Sequence, residues 1–528
     1  MIFLDLSIMI MNSSLTCSTT VIATVQERTL TTEVRSLIEE LCVATDKRRR
    51  ELLELRLKDR DKLADGEIQF LEETTNIRKG KWNVDALPEQ LLERRVELMG
   101  GATRSELIVG LNSGAKTYIA DLWNFTPTDT WNILRAHRSL ARAAKLDLAY
   151  LAPDGDRIRV NPRSVTRLMV VPRPIGTLEP AVLFNGNAVA ATYFDLALLV
   201  LNCGHELVER HGGIFLVLRD VRTHLEARLW VQLFDILEEQ MGFERGTIRA
   251  TIMIDSISAA IEAEEILFEM MHHAAGLSFD PQGYAADHID LFAGKERPVL
   301  PDRELIGLNS PFLRSLSLDL VGLCHRRGCH ALGAPSFVLP PLDPERVKAD
   351  YLEMLADKER EAVDGFDGTI VVHADTVNAA MVEFNKSMPR ANQLYYQRND
   401  KILPSDLIRR PEGRITVESL VGMIRTILRS MVRAGEGKAW VVQGGRMHDR
   451  SSLRLAVRLL WQWNTSRQGV ITASGLDIHD DLIKYLVKKE SEKMFGASNE
   501  AIRKMATAAE KRLLEIVLAD TLPQELAA

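Results

Sequence analysis

The residues around position 255 have the types and order that chemistry at the mouth of a barrel requires. Residues 247–254 form a β-branched, apolar run typical of a buried strand, and the run ends directly on the carboxylate of Asp255. A helical pattern follows at once over 258–272. Acidic residues at the carboxyl ends of buried parallel strands are where α/β barrels place catalytic and metal-binding groups. The segment therefore predicts a catalytic or metal-binding role for Asp255.

Short apolar runs alternate with helical patterns from about residue 107 to 372. The candidate strands are 107–111, 118–122, 146–151, 168–171, 214–218, 248–254, a segment near 331–339, and 369–372. The intervening helical patterns are 194–202, 225–241, 258–272, 311–327 and 344–363. Repeated strand–helix units need crossover connections and favour a parallel sheet buried on both faces. We predict an α/β fold, a closed (β/α)8 TIM barrel, since no Gly-x-Gly-x-x-Gly motif of a dinucleotide-binding sheet follows the first strand.

The flanking segments differ from the barrel in pattern. Residues 1–29 predict a disordered extension, 30–99 a helical segment, 100–388 the barrel, and 389–528 a helical domain that caps it. In the last of these, helical patterns cover 417–432, 453–463, 478–491 and 501–518, and no strand is predicted after about residue 390. Periodicity alone leaves open whether these helices lie over the open face of the barrel or against its side.

Composition restricts the class of protein. The chain has 528 residues, 46% of them hydrophobic, and a formal net charge of −7, which argues against a protein that coats nucleic acid. Five cysteines in so long a chain indicate a reducing, cytoplasmic location. The apolar start contains Asp5 and lacks a basic region, so we interpret it as an extension, with Met11 as an alternative start, in preference to a signal peptide. The later apolar run 188–203 is too short to span a membrane.

A series of motifs runs in one order from Glu73 to Trp463. They are Glu73-Thr-Thr-Asn-Ile-Arg78, Leu111-Asn-Ser-Gly-Ala-Lys116, Pro172-Arg173, His224-Leu-Glu-Ala-Arg-Leu-Trp230, Thr247-Ile-Arg-Ala-Thr251, Val299-Leu-Pro-Asp-Arg303, Cys324-His-Arg-Arg-Gly328, Asp357-Lys-Glu-Arg-Glu-Ala362, Asp364-Gly-Phe-Asp-Gly-Thr369 and Trp461-Gln-Trp463. In content and order they resemble the malate synthase family, in its shorter bacterial and plant-like form.

The resemblance implies a transferase of the glyoxylate cycle. Such an enzyme condenses acetyl-CoA with glyoxylate in a Claisen-type addition and hydrolyses the thioester to malate and CoA. The chemistry needs a base for a weakly acidic methyl proton, a cation for the enolate oxygen, and a Mg²⁺ ion that polarises the aldehyde. By resemblance, Asp449 in Met447-His448-Asp449 is the base, and Arg173 holds the enolate and aldehyde oxygens. The implied partners are small molecules, an acyl-CoA and a 2-oxo acid, with no nucleic acid and no membrane.

Both residue assignments have a plainer alternative. Arg173 could be a salt-bridging arginine at the surface, and Asp449 could be an ordinary helix N-cap residue before Ser451. In the catalytic interpretation, Asp449 has to reach the barrel mouth from the helical carboxyl-terminal region. We then expect it to share one pocket with Arg173.

The metal-binding part of the family pattern is altered. Asp255 stands in place of a glutamate ligand, and Gly283 stands in place of the second ligand, an aspartate. Leu-Trp-Asn at 122–124 replaces an acidic triplet, and the loop 331–337, which helps to shape the acyl-CoA and oxo-acid site in the family, is also changed. Mg²⁺ demands near-ideal octahedral oxygen coordination, so other carboxylates would have to fill the gap. The nearest candidates in sequence are Asp280, Asp287 and Asp121.

Three functions remain open from the sequence. The chain is an active malate synthase, a divergent enzyme that joins or cleaves an acyl-CoA and another 2-oxo acid in a specialised biosynthetic pathway, or a non-catalytic protein with the same fold. Retention of both Arg173 and Asp449 favours chemistry, whereas the loss of a ligand at Gly283 argues against the ordinary reaction at full rate. The sequence also leaves open Mg²⁺ binding, the oligomeric state and the second substrate.

Overall fold

The computed structural model describes residues 15–17, 29–65, 68–152, 154–295, 297–341 and 349–522. Most of the predicted extension, 1–29, lies outside these residues. Within it, Leu15–Cys17 forms a short strand that pairs antiparallel with Leu178–Phe184. This part of the amino-terminal segment is therefore joined to the body of the protein by a backbone ladder.

Eight parallel strands close into a barrel, which confirms the predicted fold class. In chain order they are β1 (Val96–Gly100), β2 (Thr117–Asp121), β3 (Arg167–Val171), β4 (Ile214–Leu218), β5 (Ile248–Ile254), β6 (Ala274–Phe279), β7 (His330–Ser336) and β8 (Gly368–Val371). Each strand pairs with the next along the chain, and β8 pairs with β1. Because all eight run in one direction, their carboxyl ends meet on one face of the barrel.

The apolar core has two layers. One cluster fills the barrel interior and includes Ile119, Phe215 and Met253. The larger cluster fills the space between the strands and the helices around them. Strands buried on both sides have continuous apolar sequences, which is why β4 and β5 are predicted with the bounds that the structure gives them.

Two of the predicted strands are wrong. Residues 107–111 lie in the helix Arg104–Asn112, because a run of five apolar residues fits a buried helix face as well as a strand. A capping box at Thr103 starts this helix. Of 146–151, only Ala149–Leu151 is a strand, and it belongs to a hairpin with Arg157–Arg159 outside the barrel.

The strands that complete the barrel, β1 and β6, are absent from the sequence prediction for physical reasons. β1 contains Glu97, whose fully buried carboxylate accepts hydrogen bonds from Arg94 at 2.8 and 3.0 Å and from Thr117 at 2.6 Å. The ion pair is formed inside the barrel, so a charged residue interrupts the apolar pattern of a core strand. β6 has the sequence Ala-Ala-Gly-Leu-Ser-Phe and lacks the β-branched residues that favour strands.

Helices alternate with the barrel strands and then form the carboxyl-terminal region. They are α1 (Thr32–Asp65), α2 (Thr75–Lys79), α3 (Arg104–Asn112), α4 (Thr130–Ala144), α5 (Ala191–His211), α6 (His224–Met241), α7 (Ile257–Ile261), α8 (Ala263–Glu269), α9 (Pro281–Leu291), α10 (Pro311–Arg327), α11 (Ala349–Asp364), α12 (Val377–Ser387), α13 (Val417–Gly435), α14 (Arg450–Thr465), α15 (Asp480–Phe495) and α16 (Glu500–Val517). The predicted helix 258–272 is divided into α7 and α8, and 344–348 lies outside the described residues. None of the helices in the described ranges is long and apolar enough to cross a membrane.

The carboxyl-terminal region contains short hairpins, contrary to the prediction that strands stop near residue 390. Val441–Gln443 and Arg446–His448 pair antiparallel, as do Val470–Ile471 and Leu476–Asp477. The first hairpin is bonded to the chain that leaves β7: the Met447 amide donates to the Phe337 carbonyl at 2.8 Å. This contact brings the start of α14 to the carboxyl-terminal face of the barrel.

A network of ion pairs joins this region to the barrel helices. Asp290 in α9 accepts Arg454 Nη2 at 2.5 Å, and its other oxygen lies 2.6 Å from Arg458 Nε. Nearby, Trp463 Nε1 donates to the carbonyl of Leu300 at 2.8 Å. The pair of helices α9 and α14 is therefore held by charge as well as by apolar contact.

We expect Asp290→Ala to lower the free energy of unfolding by about 3–5 kcal/mol, because it removes the carboxylate that both guanidinium groups bind. Chemical denaturation followed by circular dichroism measures the change. Asp481→Ala is the matched control: Asp481 is exposed and lies 3.7 Å from Lys484, so its removal should change stability by no more than about 0.5 kcal/mol. Equal effects of the two variants would contradict the structural role given to Asp290.

Candidate active site

Charged side chains follow four strands of the barrel at the face where the strands end. Asp121 ends β2, Arg219 follows β4, Asp255 follows β5 and Asp280 follows β6. Asp121, Arg219 and Asp280 are 0%, 4% and 2% exposed. The closure of the barrel therefore gathers residues from four separate segments into one buried polar site.

Arg219 lies at the centre of this site. Its Nη1 donates to Asp280 Oδ2 at 3.0 Å, and its Nε lies 3.3 Å from Asp121 Oδ2. Burial alone would lower the pKa of Arg219, but the surrounding carboxylates of Asp121, Asp280, Asp449 and Asp255 raise it above its usual value. The guanidinium therefore stays charged and balances the carboxylates of the strand ends.

Backbone amides hold the two aspartates that flank Arg219. Asp121 Oδ1 accepts the amides of Trp123 and Asn124, both at 2.7 Å. Asp280 Oδ1 accepts the amides of Gln282 and Gly283 at 3.0 and 3.1 Å, as the N-cap of α9. Each carboxylate thus presents its second oxygen to Arg219 in a fixed direction.

Asp449 enters the site from the carboxyl-terminal region. It is fully buried, and it is the N-cap of α14: Oδ1 accepts the Ser452 amide at 2.9 Å. Its other oxygen, Oδ2, accepts Asn124 Nδ2 at 3.1 Å. The N-cap interpretation of Asp449 is confirmed, and the same residue also contacts the loop after β2, at the barrel face.

The environment of Asp449 favours its protonated form. Burial, and then the nearby charge of Asp280, raise its pKa to about 7, although Arg219 and the Ser452 amide act in the opposite direction. A carboxylate with a pKa near neutrality can both accept and return a proton at physiological pH. Asp449 therefore has the properties of a general base.

Asp255 is half-buried and contributes a second carboxyl group with a raised pKa. Its Oδ2 accepts the Asp220 amide at 2.9 Å, and within the described part of the chain its buried Oδ1 has no hydrogen-bond partner. Burial, and then the charge of Asp220, raise its pKa to about 7, while Arg222 opposes the shift. Asp255 therefore has an oxygen left for a proton or a ligand.

The paired-carboxylate metal site that the resemblance implies does not fit these residues. Gly283 lies in the first turn of α9, where a Cβ atom would be 3.1 Å from Asp280 Oδ2 and 3.2 Å from Asp255 Cβ. The space for a side chain is therefore tight, and the residues that crowd it are the two that would be its fellow ligands. A side chain at Gly283 would require Asp280 or Asp255 to move by a few tenths of an ångström.

The candidate replacement ligands are already bound to other groups. Asp280 and Asp121 are paired with Arg219, and Asp287 accepts Arg222 Nη1 at 3.1 Å and the Ile257 amide at 2.9 Å. Within the described ranges, one group of three His, Cys, Asp or Glu side chains has its possible ligand atoms within 4.8 Å of one another. It consists of Asp235, Glu238 and His273 and lies at the amino-terminal end of the barrel, away from this site. No chemical step in the site is therefore assigned to a metal ion.

Arg173 is bound elsewhere on the same side of the barrel. Its Nε and Nη2 donate to Asp195, at 3.0 and 2.7 Å, and its Nη1 donates to Glu179 at 2.9 Å. It is buried, so it is not a surface arginine. The charge of Arg219 is one of the main influences on the pKa of Asp449, which it lowers.

Arg219 was not among the site residues predicted from the sequence. The signal that could have found it is the one that identified Asp255, because the apolar strand β4 ends directly on Arg219 and Asp220. Asn124 was considered only as part of a lost acidic triplet, although its amide holds Asp449.

A cavity of about 210 Å³ opens beside the hairpin that precedes Asp449. Its lining includes Gln282, Arg303, Met447 and His448, together with residues 334–337 at the end of β7 and just after it. Arg303 donates to the neutral oxygens of Gln282 and Ser452, at 2.7 and 2.6 Å, and burial lowers its pKa to about 10. The cavity is therefore lined by charged groups of both signs and ends one residue short of Asp449 in the chain.

Known proteins share most of the length of this chain. Residues 168–410 match the family described as malate synthase, TIM barrel domain. The chain is 32% identical to the malate synthase of Myxococcus xanthus (strain DK1622) over 82% of this chain and 81% of that protein. It is 32% identical to the malate synthase of Streptomyces clavuligerus, with 90% and 89% covered, and 28% identical to malate synthase A of Escherichia coli (strain K12), with 83% of each covered. The chain therefore belongs to the malate synthase family.

Proposed function

We propose that this protein is an acyltransferase that condenses acetyl-CoA with glyoxylate and hydrolyses the resulting thioester, which yields malate and CoA. Family membership supports the reaction, and one observation carries the catalytic assignment. That observation is the burial of Asp449, which Asn124 hydrogen-bonds and whose pKa the charge of Arg219 influences, at the face where the strands end. A buried carboxylate with a pKa near 7 is suited to remove the methyl proton of acetyl-CoA.

The reaction divides among the residues of the site as follows. Asp449 takes a proton from the methyl group, and the enolate carbon then attacks the aldehyde carbon of glyoxylate. The aldehyde oxygen becomes an alkoxide and takes up a proton, which balances the one that Asp449 removed. Water subsequently cleaves the thioester, so that CoA leaves as the thiol. The cavity beside His448 and Phe337 supports an approach of the acyl-CoA from the side of the carboxyl-terminal hairpin.

The role of Arg173 stays a prediction. The resemblance assigns it to the enolate and aldehyde oxygens, but its Nε, Nη1 and Nη2 already donate to Asp195 and Glu179. A guanidinium has five N–H groups, so some donors remain for a substrate. The two carboxylates also reduce the positive field that Arg173 could offer to an enolate.

A cytoplasmic location is part of the same proposal. The four cysteines whose side chains the structure describes, Cys42, Cys203, Cys324 and Cys329, are buried free thiols. Free thiols are usual in a reducing compartment, where the substrates are also small soluble molecules.

Asp449→Asn should lower the rate of CoA thiol release by about 10²-fold or more and leave acyl-CoA affinity within about twofold. The amide keeps the N-cap acceptor but cannot take a proton. Because the folded-state pKa of Asp449 is raised, its ionised form destabilises the fold at pH 8, and the asparagine variant should unfold at the same or a higher temperature. An equal loss of stability and activity would indicate a structural role instead.

The pH profile tests the same assignment independently. The base must be ionised, so kcat/KM should rise about tenfold per pH unit on the acid side and level off above an apparent pKa near 7. Asp255 has a raised pKa in the same range, so Asp255→Asn is the control. The acid limb should remain in that variant if Asp449 is the base. A rate already constant at pH 5 would contradict the proposal.

A further inference from the structure

We propose that the guanidinium of Arg219 takes the place of a divalent cation in this site, so that the 2-oxo acid is bound and polarised without a metal ion. The inference rests on the proposed function. It assigns to Arg219 a substrate-binding role, and it explains why the metal-ligand positions are altered.

The position of Arg219 is that of a central cation. Its strand, β4, lies two strands away from both β2 and β6, and its side chain reaches the carboxylates at the ends of those two strands. A group that contacts Asp121 on one side and Asp280 on the other must extend across the barrel mouth. This is the place where a cation shared by the strand-end carboxylates would lie.

The donors of Arg219 are not exhausted by these contacts. Its Nε lies 3.3 Å from Asp121 Oδ2, yet neither atom forms a hydrogen bond with any described residue. Its Nη2 lies 3.5 Å from the sulfur of Met99, a weak acceptor. Nε–H and Nη2–H therefore remain available for stronger acceptors, and they lie in one plane.

A 2-oxo acid offers acceptors of matching geometry. Its carboxylate oxygen and its carbonyl oxygen lie side by side, and a metal ion would chelate that pair. The planar fork of a guanidinium binds two neighbouring oxygens through parallel N–H groups. Arg219 can therefore orient the oxo acid and withdraw charge from its carbonyl, although less strongly than a divalent ion.

The altered ligand positions agree with this substitution. A side chain at Gly283 would crowd Asp280 Oδ2 and Asp255 Cβ, and an aspartate there would add a further negative charge next to both. With Arg219 already paired to Asp280, a divalent cation at the same place would meet a buried positive charge. The site therefore lacks one carboxylate, at Gly283, and holds the single positive charge of Arg219 where the family pattern implies a divalent cation.

Metal dependence and metal binding test the inference on the wild-type protein. Thiol release from acetyl-CoA and glyoxylate should proceed at the same rate in excess EDTA as in millimolar Mg²⁺, within about twofold. Mn²⁺ titrated by electron paramagnetic resonance should show no stoichiometric site. Abolition of the activity by EDTA with recovery by Mg²⁺ would overturn the inference, and so would saturable Mn²⁺ binding that Asp255→Ala removes.

Glyoxylate binding in EDTA separates this inference from the proposed function. Calorimetry should show binding to the wild type, an affinity at least tenfold weaker in Arg219→Gln, and an intermediate affinity in Arg219→Lys. Arg228→Gln, which removes an exposed arginine paired with Glu269, is the control and should bind as the wild type does. Absence of thiol release under every condition would contradict the proposed function alone. Absence of glyoxylate binding to the folded wild type in EDTA would contradict the role of Arg219.

Discussion

The concentration of carboxylates at the carboxyl-terminal face of the barrel is the constraint on which the site depends. Asp121, Asp255, Asp280 and Asp449 reach one region that water hardly enters, where like charges repel far more strongly than at the surface. Such a group is stable only if a cation lies among them or if some of them hold protons. Arg219 supplies a cation between Asp121 and Asp280, and the pKa values of Asp255 and Asp449 are raised to about 7, which favours partial protonation near neutrality.

The same electrostatic constraint connects stability with chemistry. Arg219, Arg222 and Arg450 oppose the repulsion among the carboxylates, but burial and the neighbouring carboxylates still raise the pKa of Asp255 and Asp449. The raised pKa of Asp449 therefore comes from its burial and from the charges of Asp280 and Asp121. Its hydrogen bonds to the Ser452 amide and to Asn124 keep the carboxylate in one orientation while its charge changes.

The carboxyl-terminal region determines whether the site is complete. Its first hairpin continues the backbone bonding of the segment after β7, and α14 packs on α9 through Asp290. Asp449 lies between these two attachments, at the first turn of α14. The barrel therefore supplies Arg219, Asp121 and Asp280, and the appended helices supply Asp449. The carboxylates of Asp280 and Asp121 raise the pKa of Asp449, and Arg219 lowers it.

The sequence by itself determined the fold class and the bounds of β4, β5 and α10, and it placed Asp255 at the end of a strand and, as a prediction, Asp449 at the barrel mouth. These features depend on local pattern, in which an apolar run, its length and the residue that follows are adjacent in the chain. The sequence predicted strands at 107–111 and 146–151 in place of β1 and β6, because a short apolar run fits a buried helix as well as a strand. β1 was missed because Glu97, which pairs with Arg94, interrupts its apolar pattern. Only the tertiary structure decided that Arg219 is bound by Asp121 and Asp280 while Arg173 is bound by Asp195 and Glu179. These residues lie far apart in the chain, and barrel closure and the docking of α14 determine which charges meet.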